Sequence, residues 1–281
     1  MTAITAWGAA SLRNMFTDPA FLAALATATN SQVTLNPPPT TPTKPPTQGF
    51  SSYDSSGYLA QLILNPQGVA LPDVFVSAAT DPMDDLVAAG KVASQYAKIL
   101  RNSLVLIKKR SVALPVTIVN FGQVTAANTN GVGIYIANPA SPDLVPAGIY
   151  AQQAFTYFGS AVANFAMGSN NTNGMTDVTK VLAAVGGASG PAIGVVYATD
   201  AVSSDVATNP QPPVPNSNLV EIIAVAPYSV NDDIIYPAAA LTGLSSTQAA
   251  AAQAFVNFLA SPAALPSFIK WGFIPYNPIT P

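Results

Sequence analysis

Five short polar segments punctuate this chain of 281 residues, and four of them fall where a helix is predicted to begin. They are Ala9-Ala10-Ser11-Leu12, Ser55-Ser56-Gly57, Val145-Pro146-Ala147-Gly148-Ile149-Tyr150, Thr176-Asp177-Val178 and Gly194-Val195-Val196-Tyr197. Apolar strand patterns alternate with helical ones around them. Ile4–Trp7 precedes a helix over about Leu12–Thr29, Phe50–Tyr53 precedes Tyr58–Leu64, and Asp73–Ala78 precedes a helix near Met83–Ala89. Farther on come strands over Leu104–Ile107, Val116–Val119, Gly133–Ala137 and Ile193–Tyr197, with helices over Gly148–Phe158 and Val178–Val185. Strands over Val220–Ala226 and Ile234–Leu241 then lead to helices over Ser246–Ala260 and Pro262–Lys270. Such alternation argues for an α/β fold with parallel sheets.

The segments offer hydroxyls and backbone N–H groups, with almost no side-chain charge. A doubly charged tetrahedral anion is costly to desolvate, so many strong donors must replace its water. Helix N-termini supply unpaired N–H groups and a favourable dipole without a counter-charge. Each hydrogen bond to a charged group contributes roughly 1.5–3 kcal/mol. Ser11 and Ser56 add hydroxyls, and Gly57 lets the backbone approach closely. Pro146 fits a first helical turn and leaves the N–H of Ala147 outward. Val178 follows Asp177 at another helix start, and Tyr197 ends a strand. Taken singly, each serine could equally cap its own helix.

Composition removes most catalytic chemistries. The chain has no cysteine and no histidine, which excludes thiolates, disulfides, the Ser-His-Asp triad and the usual zinc sites. No catalytic residue or cofactor is expected. Charged residues make up 8% of the chain, against roughly 25% in ordinary soluble domains. That poverty fits an extracytoplasmic, acidic setting, where few carboxylates mean little charge change on acidification; compositional drift is the alternative. A net charge of −3 argues against nucleic acid. Lys108-Lys109-Arg110, the one basic cluster, reads as a strand end or a docking point. Apolar stretches such as Ile222–Pro227 fall far short of the roughly 20 residues a span needs. The chain opens directly on a strand without a basic and apolar leader pattern, so an exported form is expected to have lost its leader.

In order and context the five segments resemble the molybdate- and tungstate-binding proteins of bacterial ABC importers, a type II periplasmic-binding-protein fold. Other stretches share the likeness, among them Pro72–Ala78, Asn102–Leu106, Val196-Tyr197-Ala198-Thr199-Asp200-Ala201, Ile235-Tyr236-Pro237, Phe255–Pro262 and Lys270-Trp271-Gly272-Phe273. The resemblance implies two lobes, each a mostly parallel sheet flanked by helices, with the ligand in the cleft between them. Lobe I would comprise residues 1–103 and 230–281, and lobe II residues 104–229. Residues 36–48, rich in proline, read as a surface insertion.

The resemblance also implies that Ser11, Ser56, Ala147, Val178 and Tyr197 contact the ligand, two from lobe I and three from lobe II. It implies molybdate or tungstate as that ligand, an ABC permease with its ATPase as partner, a periplasmic or otherwise extracytoplasmic location, and a monomer. Molybdenum or tungsten would enter only as the bound oxyanion; no metal cation is expected. Arg13 is left outside the site, since the family site needs no cation.

Asp54 departs from that uncharged pattern. If the strand from Phe50 continues, Asp54 and Ser56 share a face, and the carboxylate modulates the site toward a protonated oxyanion. Alternatively Asp54 caps the helix at Tyr58. Phosphate, phosphonate or sulfate remain alternative ligands. A carboxylate-based hydrolase using Asp232-Asp233 is disfavoured, because adjacent extended residues point to opposite faces. A low-charge surface protein would not explain the ordered turns.

Overall fold

The computed structural model describes residues 1–36, 52–93, 95–139, 146–159, 172–203, 220–227, 230 and 234–276. Nearly all of the proline-rich insertion, the Asn209–Pro215 loop and Asp232-Asp233 lie outside these described residues. The chain forms two compact units: Met1–Arg101 with Ile235–Pro281, and Asn102–Ile234. The crossings thus fall at 101/102 and 234/235, where sequence put them at 103/104 and 229/230.

The first unit begins with β1 (Thr2–Ile4), β2 (Ala6–Ala9), α1 (Arg13–Phe16), α2 (Pro19–Ala28) and β3 (Val33–Leu35). It continues through β4 (Tyr53–Asp54), α3 (Ser56–Leu64), β5 (Val74–Val76), α4 (Asp81–Ala88) and β6 (Ala97–Arg101). The second unit holds β7 (Leu104–Lys109), β8 (Gly133–Ala137), α5 (Pro146–Tyr157), β9 (Thr172–Met175), α6 (Val178–Gly187), β10 (Ala192–Tyr197), α7 (Ala198–Ser203) and β11 (Val220–Val225). The chain then returns through β12 (Ile235–Ala240), α8 (Ser246–Leu259), α9 (Leu265–Lys270) and β13 (Ile274–Pro275).

In the first unit a six-stranded sheet runs β13-β6-β12-β5-β2-β4. Parallel pairing joins β4, β2 and β5, the strands that feed directly into helices or turns. The strands β12, β6 and β13 add on antiparallel. Helices cover the sheet because its strands are apolar on both faces. Trp7 and Phe75 pack with Leu59, Ile63, Met83 and Leu86 of α3 and α4. A second cluster stacks Phe16 on Phe21 (5.2 Å) and sets Phe255 of α8 edge-on to Phe16 at 5.6 Å.

The second unit carries a five-stranded sheet, β11-β7-β10-β8-β9. The strands β8, β9 and β10 run parallel, and β7 is antiparallel to both β10 and β11. Close packing of α6 depends on Gly194, where a Cβ would come within 2.7 Å of Val185 and 2.8 Å of Val181. Lys108 pairs with Glu221 at 2.5 Å, and the Lys109 ammonium donates to the Ala188 carbonyl, so both lysines bind within their own unit.

Several sequence expectations are corrected. The long first helix is broken: a 3-10 turn at Ala10–Leu12 and one α turn precede Asp18, which starts α2 afresh as its N-cap. Pro19 fits only a first helical turn, so the break falls before it. The first strand is split at Thr5 into β1 and β2. Val116–Val119 forms no strand, and Val116 and Val119 are exposed. The strand read over Leu104–Ile107 extends to Lys109 as β7 and pairs with β10 and β11 of the second unit. The helix expected near Met83–Ala89 starts earlier, at Asp81, and carries Asp81 and Asp84 in its first turn. Among the described residues, no single helix is long and apolar enough to cross a membrane.

Candidate functional site

Parallel strands that each end in a helix or turn bring their following residues to one edge of a sheet. In the first unit Ala9 lies beside Asp54, and Gly8 beside Val76. Ser11 and Ser56 each stand two residues beyond a paired strand end, at the carboxyl edge shared by β2, β4 and β5. Ser11 sits in the 3-10 turn and caps nothing. Its Oγ lies 2.9 Å from the phenolic oxygen of Tyr236, a fully buried residue of β12. Tyr236 reaches this edge because the Ser77 N–H donates to the Pro237 carbonyl (3.0 Å) at the end of β5.

Ser56 is the first residue of α3 and is buried. The capping role belongs to its neighbour: Ser55 accepts from the Tyr58 N–H. The Ser56 Oγ instead accepts from the Ala78 N–H at 2.9 Å, bridging the ends of β4 and β5 across β2. Both premises about Asp54 are corrected. The strand stops at Asp54 and the helix begins at Ser56, so two-residue alternation no longer sets their faces. Nor is Asp54 the helix cap; its Oδ1 accepts from the Ser55 N–H at 2.7 Å. Arg13 donates to the Tyr53 carbonyl at 3.1 Å and so ties down β4.

The second unit repeats the arrangement. Ala147 lies in the first turn of α5, which presses on the carboxyl end of β8. A Cβ on Gly148 would lie 2.4 Å from the Ala137 carbonyl oxygen, so only glycine permits that approach. Val178 opens α6, with Asp177 as its N-cap accepting from the Lys180 N–H at 2.8 Å. The Val178 N–H belongs to the first helical position, which has no partner inside the helix. Tyr197 is the last residue of β10 and is buried. The three residues therefore follow or end the three parallel strands on one edge.

Acid groups flank this second edge. Asp200, buried in α7, is pushed up to about 7: burial disfavours its charge, the Asp177 carboxylate adds to that, and a hydrogen bond from the Tyr197 backbone N–H offsets part of the rise. Among the described residues no group of three or more Asp or Glu could hold a metal cation. Each edge presents hydroxyl and N–H groups that can donate hydrogen bonds to an anion.

Sequence reading missed Tyr236, Ala78 and Asp200. Tyr236 and Asp200 stood inside landmark stretches without a role. Ala78 contributes only a backbone N–H, which no side-chain pattern reveals.

Residues 50–274 match the family model of the bacterial extracellular solute-binding proteins. The chain is 30% identical over 225 residues to the molybdate-binding protein ModA of Escherichia coli (strain K12), covering 79% of this chain and 77% of that one. It belongs to the bacterial extracellular solute-binding protein family. The fold is also that of the periplasmic molybdate-binding protein of Azotobacter vinelandii (TM-score 0.65, 18% identity, 96% of this chain and 98% of that one). The sulfate-binding protein SubI of Mycobacterium tuberculosis H37Rv is similar as well (TM-score 0.69, 15% identity, 99% and 88%). The chain is thus a solute-binding protein of an extracytoplasmic family, and its relatives are binders rather than enzymes.

Proposed function

We propose that this protein captures molybdate or tungstate outside the cytoplasm and delivers it to an ABC permease driven by its ATPase. In this reading Ser11 and Ser56 from the first unit, with Ala147, Val178 and Tyr197 from the second, donate to one oxyanion. The observation that carries it is that all five residues occupy the carboxyl edges of parallel strands, where they supply hydroxyls and N–H groups without a cation. The identity to a molybdate-binding relative supports the choice of ligand.

Sulfate is the second reading, favoured by the fold shared with a sulfate-binding protein. It is smaller than molybdate and fits a donor shell of the larger size less well. Thermal melting with molybdate, tungstate, sulfate and phosphate decides. A native-state ligand at a hundredfold excess over Kd adds about 2.7 kcal/mol of stability. Molybdate and tungstate should raise the melting temperature most. A larger rise with sulfate or phosphate, or none with any of the four, overturns the proposal.

A further inference from the structure

We infer that Tyr236 is a positioning residue: its phenol donates to the Ser11 Oγ and thereby turns the Ser11 hydroxyl proton toward the bound oxyanion. The inference rests on the proposed oxyanion site and adds a residue to it.

A serine hydroxyl has one proton and can accept as well as donate. In a site built for a dianion it is useful only when it donates. If its proton is spent on another protein atom, its oxygen lone pairs face the anion and repel it. The protein must therefore fill the serine oxygen with a donor of its own.

The first unit does this for Ser56 without ambiguity. Its Oγ accepts from a backbone N–H, that of Ala78 at 2.9 Å, and an N–H can only donate. The Ser56 proton is left to point elsewhere. At Ser11 the partner is the Tyr236 oxygen, again 2.9 Å away, and either oxygen can hold the bridging proton. Acidity favours one direction: a phenol, with an ordinary pKa near 10, is a far stronger donor than an aliphatic alcohol. The phenol proton goes to Ser11, and the Ser11 proton becomes available to the ligand. Donation into the serine oxygen also polarises its O–H, so the two bonds strengthen each other.

The placement of Tyr236 fits this task. It comes from β12, 225 positions away in sequence from Ser11, and it is fully buried. Its ring is held edge-on against Phe273 at 5.3 Å. The phenol is therefore fixed before any ligand arrives, and so is the serine it addresses.

The test is a double-mutant cycle on molybdate affinity, by titration calorimetry, with Tyr236→Phe, Ser11→Ala and the pair. Tyr236→Phe keeps the ring and its packing on Phe273. It should weaken molybdate binding about three- to tenfold, the worth of one ordinary hydrogen bond. Ser11→Ala should weaken it at least as much. In the Ser11→Ala background the tyrosine change should have no further effect, an outcome that general loosening of the core would not give. If Ser11→Ala weakens binding and Tyr236→Phe does not, or if their effects simply multiply, the inference fails while the site stands. If the unmodified protein binds none of molybdate, tungstate or sulfate, both fail. A fluorinated tyrosine at 236 gives a second measurement independent of any loss of packing. Its more acidic phenol should tighten binding, and weaker or unchanged binding counts against the inference.

Discussion

The Ala78 backbone N–H donates to the Ser56 Oγ at 2.9 Å, with both residues buried at the carboxyl edge of the first unit's sheet. One side chain thereby joins the start of α3 to the turn after β5, across the intervening end of β2. The structural role of Ser56 can thus be separated from its proposed binding role. Ser56→Ala leaves the Ala78 N–H buried without its acceptor, a loss of about 1–3 kcal/mol. Urea unfolding without ligand should show that loss, and molybdate affinity should fall as well. Ser55→Ala removes a helix cap, costing about 1 kcal/mol, and should leave affinity nearly unchanged. Equal effects on affinity from the two changes would argue that Ser56 touches no ligand.

Gly148 fixes how closely α5 meets β8. With a Cβ there placed 2.4 Å from the Ala137 carbonyl oxygen and 2.9 Å from the Pro139 nitrogen, backbone has to move. The first turn of α5 carries Ala147, so the same movement displaces its N–H. Gly148→Ala should destabilise the protein by about 1–3 kcal/mol, as overpacking does, and weaken oxyanion binding at least tenfold by titration calorimetry. Gly187→Ala, at the far end of α6 with open space around it, is the control and should change neither quantity.

Much of this was legible along the chain because it is local. A polar turn between a strand and a helix announces itself within a few residues, and Val178, Ser56 and Tyr197 stand at such boundaries as read. What escaped is either too short or too distant. The pair Asp18-Pro19 carries a helix-start signal, yet the apolar spacing on both sides of it reads as one continuous helix. Val116–Val119 has the composition of a strand but no neighbouring ladder, which only three dimensions reveal. The partnership of Ser11 with Tyr236 spans 225 positions and leaves no pattern in either segment. Ser55 and Ser56 are adjacent and chemically identical. Only the register of β5 against β2 shows that one caps and the other bridges.

Asp18 ties the N-terminal helices to the C-terminal ones. Its carboxylate caps α2 through the Ala20 N–H (3.0 Å) and accepts from Lys270 (2.6 Å) and the Trp271 indole N–H (2.9 Å). Burial pushes this carboxyl up, but Lys270, the Ala20 N–H and the Trp271 N–H outweigh it and leave it below the usual 3.8. A depressed carboxyl contributes stability above the unfolded-state value and loses it as pH falls through the folded-state value. Asp18→Ala should cost about 2–4 kcal/mol at pH 7, from a lost cap and lost charge-assisted bonds. Lys270 is half-exposed, so its ion pair contributes the smaller share. Asp18→Asn retains a capping oxygen and should lose less. Urea unfolding at pH 7 and at pH 3 checks both statements: the gap between the unmodified protein and Asp18→Asn should shrink at the lower pH.

Asp200 works in the opposite sense. Burial and the Asp177 carboxylate raise it from 3.8 to about 7, despite the hydrogen bond from the Tyr197 N–H. Below pH 4 the carboxyl is protonated in folded and unfolded chains alike, and its contribution is fully present. Between pH 4 and 7 the unfolded chain releases the proton while the folded chain keeps it. The folded state then binds more protons, so stability falls as pH rises through that window and levels off above it. At about 1.36 kcal/mol per unit of difference, the rise from 3.8 to about 7 corresponds to a fall on the order of 4 kcal/mol. Asp200→Asn cannot ionise and should abolish it. Chemical unfolding from pH 4 to 8 should therefore show a decline in the unmodified protein and a flatter course in the variant. Parallel courses would mean that Asp200 is ionised in the fold throughout.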